Sequence, residues 1–558
     1  MNVMLWMPGT FRGCAEVRTA AIGHDLLSRR CPMSLLFRIL LRFSGLLAMV
    51  CFFVPASRAA EQAAAAGLVP SAGYVQQRIE ASASVLDLRK AERLALEQNL
   101  DLQAEVFTSQ AAEALVRKGY GIYDPNLELF LAEGERRDLS NFQFFVGPTG
   151  LDTRDFNLSL TQVFSPGTEV SLFYNNRRQN LFTEPKPAIN PEYDTELGFS
   201  LTQPLLKNFG RTVTEQTILF AAKDREVSIE ELRRVALDLL MEVRSTYFNV
   251  LRARDDLAYR STSVKLARTI LEENRARVAA GVLPPVEVLE AEVGVQSRER
   301  DRLDAERAYH DVLDQLALLL NRTTIPRVAE DRLGQPEIET DEGRAFRTAL
   351  KKRPELQALL RQSEKLEIEQ EINRNQTLPA LDLQASYSHK GVGQNYNDSV
   401  DFMPRTDLRN WQIGLNFSYP LGNRAAREEL NRTRLKLKSR HAAIGQLQTR
   451  LRKEIRQAIR LLEVSRAKIS AATIERQLAE EKLRILVGRK NVGLATTRDL
   501  LEGEEDLARA RTNQIAALAD YNIALSGYYR ATGELLAKEG IRLQRSEGGL
   551  TDHPFTMD

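Results

Sequence analysis

Cysteine is almost missing from this sequence of 558 residues. Cys14, Cys31 and Cys51 are its three cysteines, so the chain beyond Cys51 has neither a disulfide framework nor a thiolate zinc site. None of the five histidines lies in an HExxH motif, and the GxxxxGK[ST], GxGxxG and GxSxG motifs are missing as well. The sequence therefore predicts no enzyme activity, no catalytic residues, no metal site and no cofactor.

An excess of one charge is also missing. The 77 Lys and Arg residues nearly balance the 75 Asp and Glu residues, which leaves a formal net charge of +2. This balance excludes the broadly basic surface of a nucleic-acid-binding protein. Aromatic residues make up only 7% of the chain, and the many Ala, Leu, Glu and Arg residues favour long helices over a compact α/β core.

Long hydrophobic runs are missing from most of the chain. Beyond the first 59 residues no segment has 18 consecutive apolar residues, so the sequence predicts no transmembrane helix. Near the N-terminus, Arg38 and Arg42 precede a short apolar run at 43–54, and Ser57-Arg58-Ala59 is a small-x-small cleavage signal. Residues 1–59 are therefore predicted to be a secretory signal peptide with an upstream extension.

The start of the natural chain is a further expectation. Met33 directly precedes the signal-peptide pattern and is the predicted start, and residues 60–84 are predicted to be a mature N-terminal linker. Cys51 fits the pattern of a lipid-anchor cysteine poorly, because Ala48-Met49-Val50 precedes it and apolar sequence follows it. Lipidation at Cys51 stays an open alternative.

The remainder of the chain is a tandem duplication. ELGFSLTQPLLKNFG at 196–210 and QIGLNFSYPLGNRAA at 412–426 share an alternating strand, a Pro-Leu pair and a glycine turn. The predicted repeats are 85–325 and 343–535, with an equatorial connector at 326–342 and a flexible C-terminal tail at 536–558. Each repeat has the same predicted order: a helical segment (86–120; 343–376), strands (about 127–202; about 380–419), a long helix (214–280; 424–490) and a second helix (286–320; 497–532).

The long helix of the first repeat has a seven-residue rhythm. A sustained heptad of apolar residues predicts a left-handed coiled coil, and some 65 residues at 1.5 Å each make a rod of roughly 100 Å. Charged residues occupy most other positions, so most of the helix circumference is expected to be in water. The apolar positions are Ile229, Ala236, Val243, Val250, Leu257, Val264, Leu271 and Val278.

Six segments alternate between apolar and small polar residues. Segments of about ten residues with this alternation are typical of transmembrane β-barrels, and a soluble sandwich with one wet face is the alternative. Six strands do not close a useful pore, so other copies of the chain are expected to cover the sheet edges. The predicted strands are 127–135, 155–164, 169–177, 193–202, 380–390 and 410–419.

These features together resemble the TolC-type outer-membrane efflux proteins from about residue 85 to 535. The resemblance rests on the signal peptide, the duplication, the strand-Pro-Leu landmarks and two helical hairpins with the tips VAAGVLPPVEVLEAE and NVGLATTRDLLEGEE. It implies an α+β membrane protein in which a trimeric transmembrane β-barrel is continued by a long periplasmic α-helical coiled-coil barrel. Pro204 and Pro420 would then bend the chain at the membrane surface.

The resemblance also implies a function. The chain would be a passive exit duct from periplasm to exterior in a tripartite efflux or type I secretion system, in the outer membrane of a Gram-negative bacterium. Its partners would be two further copies, a periplasmic adaptor protein, an inner-membrane pump of the RND, ABC or MFS type and outer-membrane lipid, but no nucleic acid. An exported, soluble coiled-coil scaffold or adaptor is the alternative function.

The hairpin tips are the candidate functional sites. The resemblance places the periplasmic aperture at Asp499 and Glu502, with Glu287 next to it, and six carboxylates of Asp499 and Glu502 in a trimer would favour cations. Alternatively, acidic residues in a first helical turn only complement the helix dipole. The candidate basic partners are Arg489, Lys490 and Arg498, and the candidate adaptor-docking residues are Gly281, Val282, Leu283, Gly493, Leu494 and Ala495.

One region departs from the family pattern. Members of the family typically contribute four strands per chain, whereas this sequence has two more around 155–177. A trimer would have 18 barrel strands if this hairpin joins the wall and 12 if it does not, and the sequence leaves both open.

Overall fold

The computed structural model describes residues 85–558 except 143–144, 184–185, 325, 330, 332, 406, 493, 545–548 and 558. The predicted signal peptide, the predicted start at Met33, Cys51 and the linker at 60–84 lie outside the described residues. Within the described ranges, no helix has a stretch long and apolar enough to cross a membrane.

The first repeat begins with two helices rather than one. They are separated at Asn99, whose Oδ1 accepts a hydrogen bond from the backbone N–H of Leu102 at 3.0 Å and so caps the second helix. The elements of this repeat are α1 (Leu88–Gln98), α2 (Leu100–Gly119), β1 (Asn126–Phe142), β2 (Phe145–Val163), β3 (Glu169–Phe182), β4 (Glu192–Pro204), the short α3 (Arg211–Thr214), α4 (Gln216–Ala279) and α5 (Val286–Leu319).

The second repeat has the same order with fewer strands. Its initial helical segment is also broken, because Pro354 disfavours helical backbone at Arg353 and itself opens the next helix. The elements are α6 (Glu342–Lys352), α7 (Pro354–Gln376), β5 (Ala380–Gly393), the short α8 (Tyr396–Phe402), β6 (Arg409–Ser418), α9 (Arg424–Asn491) and α10 (Thr497–Thr532).

All six strands form one antiparallel sheet in the order β1-β2-β3-β4-β5-β6. The hairpin around 155–177 is therefore part of the sheet, between β1 and β4. Directly opposed residues put their side chains on the same face, and the register aligns apolar residues in rows across the sheet. One such row is Leu127, Leu160, Leu172, Phe199, Tyr387 and Trp411. We call the face of this row the apolar face.

The first two strands extend well beyond their predicted ends. The additional residues are mostly polar, glycine or charged, and ion pairs across the strands, such as Arg154–Glu133 at 2.8 Å and Arg137–Asp152 at 3.1 Å, accompany the hydrogen-bonded ladder there. Because these residues do not alternate between apolar and polar, the sequence pattern did not indicate a strand. With these residues included, the hairpin of β1 and β2 extends past the apolar part of the sheet.

The long helices pack as two hairpins, α4 with α5 and α9 with α10. The heptad residues of α4 are buried at Ile229, Ala236, Val243, Val250, Val264 and Leu271, whereas Leu257 and Val278 are half-buried. A large cluster of buried side chains surrounds the middle of α4 and the end of α5, including Leu240, Tyr247 and Leu316. We call this cluster the central core.

The prediction of a flexible tail at 536–558 is wrong for the described part of that segment. A short helix α11 (Leu535–Lys538) is followed by β7 (Ile541–Leu543), which pairs with β8 (Phe555–Met557). Leu535, Ile541 and Phe555 are buried in the central core. The Gly-, Ser- and Asp-containing stretch between the two strands made the tail look disordered, whereas the widely spaced apolar residues supply the burial that orders it.

Candidate functional site at the helical hairpin tips

The first tip is built by glycine and proline. Gly281 has φ of +75°, a conformation that glycine adopts without strain. The N–H of Gly281 donates to the carbonyl of Val278 and the N–H of Val282 to the carbonyl of Arg277, both at 2.9 Å, which is the Schellman pattern that ends a helix. Pro285 then precedes α5, so the chain reverses within a few residues.

The second tip is closed by a capping box. The Thr496 Oγ1 accepts from the N–H of Asp499 at 3.1 Å, and the Asp499 carboxylate accepts from the N–H and the hydroxyl of Thr496 at 2.9 Å each. These hydrogen bonds, the backbone one first, hold the pKa of Asp499 below its ordinary value. Asp499 is therefore an ionised, exposed residue of the first turn of α10, and Thr496 is the cap. Gly493 lies outside the described residues.

A buried polar cluster joins the two hairpins close to both tips. Asn274 of α4 is fully buried, and its Nδ2 donates to the Glu287 carbonyl at 3.1 Å and to the Thr497 hydroxyl at 2.8 Å. The Lys490 Nζ donates to the Asn274 Oδ1 at 3.3 Å and to the Thr497 hydroxyl at 3.2 Å. The Thr497 N–H in turn donates to the Glu287 carboxylate at 3.2 Å. We call these four residues, which come from α4, α5, α9 and α10, the tip hub.

The lysine of the tip hub is in an unfavourable place for a charge. Lys490 is 8% exposed, and its burial lowers the pKa of the ammonium group while the charge of Glu287 opposes this shift. Its two hydrogen-bond acceptors are neutral oxygens rather than carboxylates. The lysine is thus held by geometry and hydrogen bonds more than by a contact ion pair.

The structure brings together some of the predicted site residues and separates others. Glu287 and Lys490 meet in the tip hub. Arg498 instead pairs with Glu290 of α5 at 3.2 Å, and Arg489 is exposed, with a charge that helps to lower the pKa of Asp499. Asp499 and Glu502 are both exposed on the first turns of α10.

Asn274 and Thr497 are the hub residues that the sequence interpretation missed. A signal was present at Asn274, which follows the heptad residue Leu271 by three and so lies on the buried stripe of α4, where an amide is unusual. Thr497 has no such signal, because threonine is common in the first turn of a helix. Their contact joins positions 223 residues apart.

A second buried acid lies slightly further from the tips. Glu504 of α10 is 5% exposed, and burial raises its pKa to about 7 although the charges of Arg298 and Lys490 lower it. The Arg298 Nε is 4.0 Å from the Glu504 carboxylate, and another nitrogen of the same guanidinium donates to the Leu501 carbonyl at 2.6 Å. Arg298 thereby links α5 to α10.

The two proline landmarks lie where the sheet gives way to helices. Pro204 is the last residue of β4, and the next N–H, that of Leu205, still donates to the Leu381 carbonyl at 2.7 Å. Pro420 follows β6, and its carbonyl accepts from the N–H of Asn423, whose φ of +41° turns the chain into α9. Both prolines are thus at the helical end of the sheet.

Comparison with known proteins gives a consistent result. Residues 169–322 and 345–534 match the family described as outer membrane efflux protein. The outer membrane efflux protein BepC of Brucella suis is 22% identical over 365 residues, which cover 63% of this chain and 75% of BepC.

Solved structures share the fold. The CmeC outer membrane channel of Campylobacter jejuni has a TM-score of 0.58 at 15% identity, covering 80% of this chain and 86% of CmeC. The open state of the MtrE outer membrane channel of Neisseria gonorrhoeae has a TM-score of 0.59 at 16% identity, covering 80% and 89%. Since the matched segments fall in both repeats and make up more than half of the chain, this protein belongs to the outer membrane efflux protein family.

Proposed function

We propose that three copies of this chain form one exit duct, closed at the hairpin tips and opened there by partner proteins. Members of the family work with a periplasmic adaptor and an inner-membrane pump. The same kinds of partner are proposed here, with the pump supplying the energy and the duct the passage.

The edges of the sheet support a shared barrel. Among the described residues, β1 and β6 each pair along one edge only, and unpaired edges of this length favour pairing with another chain. With an even number of antiparallel strands, β6 of one copy runs antiparallel to β1 of the next, so the pattern continues around a ring. Three copies of six strands would give 18, in place of the 12 expected from four strands per chain.

Exposure on β6 points to the same arrangement. Its apolar side chains are between 64% and 72% exposed, far above the exposure expected in a soluble sandwich core. Lipid would cover these side chains in a barrel wall. The residues are Trp411, Ile413, Leu415 and Phe417.

The tip hub is the main support for a gate. Any outward movement of α9 and α10 relative to α4 and α5 at the tips must break the three hydrogen bonds between the hairpins: Asn274 to the Thr497 hydroxyl, Lys490 to Asn274 and the Thr497 N–H to Glu287. A buried donor or acceptor left without its partner costs about 1–3 kcal/mol, and more for a charged group. The closed arrangement is therefore stabilised by a small number of bonds that a partner could replace.

The acidic residues supply the proposed aperture. Asp499 is ionised and exposed at the second tip, and Glu502 lies one turn further along α10. Three copies would present six carboxylates near one axis, which favours the passage of cations. Arg489 and Arg498 are close enough in sequence to modulate this charge, while Lys490 is proposed to act inside the hub.

The exposed tips are the proposed adaptor-docking surface. Val282 and Leu494 are 70% and 66% exposed, which leaves apolar side chains at the ends of both hairpins. Gly281, Leu283, Ala495 and Gly493 complete this proposed surface. Polar helices ending in apolar tips fit an end-on contact with another protein.

Single-channel conductance in a planar bilayer tests the duct and the gate together. The wild-type protein is expected to give small, cation-selective steps, and Lys490→Met is expected to enlarge them because the hub loses its charged donor. Lys482→Met is the matched control, since Lys482 is an exposed lysine of the same helix, paired with Asp506 at 2.6 Å.

The outcomes separate the parts of the proposal. Equal conductance of wild type and Lys490→Met would overturn the hub as a gate and keep the duct. If Asp499→Ala with Glu502→Ala leaves the cation selectivity unchanged, the aperture is elsewhere. Absence of any conductance, together with purification as a soluble protein, would favour a periplasmic scaffold instead.

A further inference from the structure

The apolar face of the sheet changes character at one level. The row Leu129, Leu158, Tyr174, Leu197 and His389 is mostly apolar, and the next row, away from the helices, is Leu131, Phe156, Asn176, Thr195 and Gly391. The following row is Glu133, Arg154, Arg178, Tyr193 and Gly393. Charged side chains thus replace apolar ones within about two rows.

The short helix α8 lies against the sheet at this level. The Ser399 hydroxyl is 2.7 Å from the Thr195 hydroxyl, and the Tyr396 hydroxyl is 2.9 Å from that of Tyr174. Thr195, Tyr174 and their rows belong to the apolar face, so α8 lies on that face and not on the opposite one. Thr195 and Ser399 are both fully buried by this contact.

Two glycines make the contact possible. A Cβ at Gly391 would overlap the backbone oxygen of Ser399, and a Cβ at Gly393 would overlap its backbone nitrogen. Both glycines lie on the outermost part of β5. The two glycines therefore let the backbone of α8 pack directly against the backbone of β5. We call this contact surface at Gly391 and Gly393 the seat of α8.

The position of α8 also compensates for a shorter strand. β6 begins at Arg409, opposite His389, so no residue of β6 faces Gly391 or Gly393. Asn176 donates to the Thr195 hydroxyl at 2.5 Å, and these two polar groups would face the surroundings of the sheet if α8 were absent. Burying polar groups against acyl chains is costly, and α8 covers them.

We propose that α8 and the following turn, Met403–Arg405, lie at the boundary between acyl chains and polar headgroups of the outer leaflet. This inference rests on the proposed insertion of the sheet into the membrane and continues its lipid-facing surface. From Thr195 to its last residue, Pro204, β4 has ten residues, and a tilted transmembrane strand needs about 9–11.

The exposed side chains of α8 fit this boundary. Tyr396 and Phe402 are 40% and 43% exposed, and aromatic side chains are enriched where acyl chains meet headgroups. Asp398 and Asp401 are exposed on the same helix, which suits side chains that face the headgroups and water. The charged hairpin of β1 and β2 beyond Glu133 would then stand in the headgroup layer and the water above it.

Depth-dependent quenching of tryptophan fluorescence tests the proposal in proteoliposomes. Variants with one tryptophan each are made in the full chain by replacing Trp6 and Trp411 with Phe and adding Phe402→Trp or Leu139→Trp, and a third variant keeps only Trp411. The vesicles contain lipids brominated near the headgroup end or near the methyl end of the acyl chains. The expected result is a larger loss of emission from shallow bromine for residue 402, from deep bromine for Trp411 and from neither for residue 139.

Each other result decides something. If residue 402 behaves like residue 139 or like Trp411, α8 is in water or in the acyl layer and the inference is overturned. If Trp411 is quenched by neither lipid, the sheet is not in the bilayer and the proposed duct fails as well.

A seat variant gives an independent check. Gly391→Val is expected to displace α8, so that Phe402→Trp loses its shallow quenching and its emission moves to the red. Gly414→Val is the control, because a Cβ at Gly414 meets no atom within 4 Å. Deep quenching of Trp411 in a separate Gly391→Val variant verifies that the sheet still forms. Unchanged quenching of residue 402 in Gly391→Val would contradict the proposed seat.

Discussion

The tips and the central core hold the same helices together in different ways. Arg244 in the central core contacts two carboxylates, Glu92 at 2.7 Å and Glu539 at 2.5 Å, and the buried cluster around it has 24 hydrophobic residues. At the tips, Lys490 has neutral acceptors, and the nearby cluster of Ala267, Leu271, Ala291 and Val295 has four. The helices are therefore held by far more buried apolar side chains in the middle than at the tips, and the gate proposed above needs movement only at the tips.

The separation between the two regions makes such a motion feasible. Arg244 and Asn274 are 30 residues apart on α4, which is about 45 Å at 1.5 Å per residue. A small rotation about the central core would therefore displace the tips by several ångströms. Variants that weaken each region in turn are expected to affect different measurements.

The largest effect is expected from Arg244→Met. The substitution leaves Glu92 and Glu539 without their cation, and breaking a buried pair costs about 3–5 kcal/mol. The free energy of unfolding by denaturant measures this loss. Arg252→Met is the control, because Arg252 is an exposed residue of the same helix, 3.9 Å from Asp520, and such pairs contribute about 0–1 kcal/mol.

The same variant has a pH dependence with a definite sign. Burial already raises the pKa of Glu92 to about 7 although Arg244 lowers it, so removing Arg244 raises the pKa further. At low pH the carboxyl takes up a proton, and the loss of stability in Arg244→Met is expected to be smaller at pH 5 than at pH 8. An equal loss at both pH values would show that the pair is not electrostatically important.

The next effect concerns the ordered C-terminus. Phe555→Ala removes a buried ring from the central core, and such substitutions cost about 3–5 kcal/mol in a full core, with the lower end expected for a terminal strand. Denaturation of the variant measures the change. Leu421→Ala serves as the control, since Leu421 is 98% exposed. If Phe555→Ala is as stable as the control, the tail does not pack into the central core, and the flexible segment indicated by its composition is the better description.

A smaller effect on stability, but a clear effect at the tips, is expected from Asn274→Leu. The amide that holds Lys490, Thr497 and Glu287 is lost, at about 1–3 kcal/mol for the groups left unpaired. Leu500 lies near the tip and is 6% exposed. In a chain with Cys14, Cys31 and Cys51 replaced, Leu500→Cys therefore gives a single, buried thiol. Faster reaction of this thiol with a maleimide in the Asn274→Leu background would report opening.

The control for this experiment is Thr269→Leu, an exposed position of the same helix. If Asn274→Leu and Thr269→Leu give the same labelling rate, the hub does not keep the tips together. A rate that rises along with general loss of structure is recognised by the denaturation midpoint, which is measured on the same samples.

The sequence predicted elements better than it predicted contacts. Heptads such as Val243 and Val250 gave the long helices nearly to the residue, because one face of such a helix is buried along its whole length. Alternation located all six strands but stopped at Glu135 on β1, where cross-strand charge pairs replace apolar residues. Alternation of apolar and polar residues indicates that one face of a strand is buried. A strand stabilised by exposed charged pairs has no buried face, so it shows no alternation.

The contacts between hairpins were largely beyond prediction. Lys490 and Glu287 were singled out by their place near the tips, but nothing in the spacing of Asn274 and Thr497 links two residues so far apart. In a helix rich in charged residues, a buried polar residue cannot be told from a solvent-exposed one until the position of the neighbouring helix is known. The seat formed by Gly391 and Gly393 was missed for the same reason.

The smallest expected effect comes from Glu504. Its pKa in the folded protein is raised to about 7, above the ordinary value of 4.5, so the folded state holds the proton more tightly than the unfolded state. The contribution of Glu504 to stability is therefore fully present below about pH 4.5 and is lost as the pH rises towards 7. Glu504→Gln stays neutral and is expected to flatten this part of the pH profile of unfolding.

Glu505→Gln is a sharp control for that profile. Glu505 is the next residue on α10, is 68% exposed in its side chain and pairs with Arg509 at 3.1 Å. If both variants change the profile alike, burial of Glu504 has no special role. If only Glu504→Gln flattens it, ionisation of the buried Glu504 carboxyl destabilises the folded protein as the pH rises through this range, and the charges of Arg298 and Lys490 only partly offset that loss. In that case the buried acids of the two regions, Glu504 near the tips and Glu92 in the central core, respond to pH in the same direction although the packing around them differs.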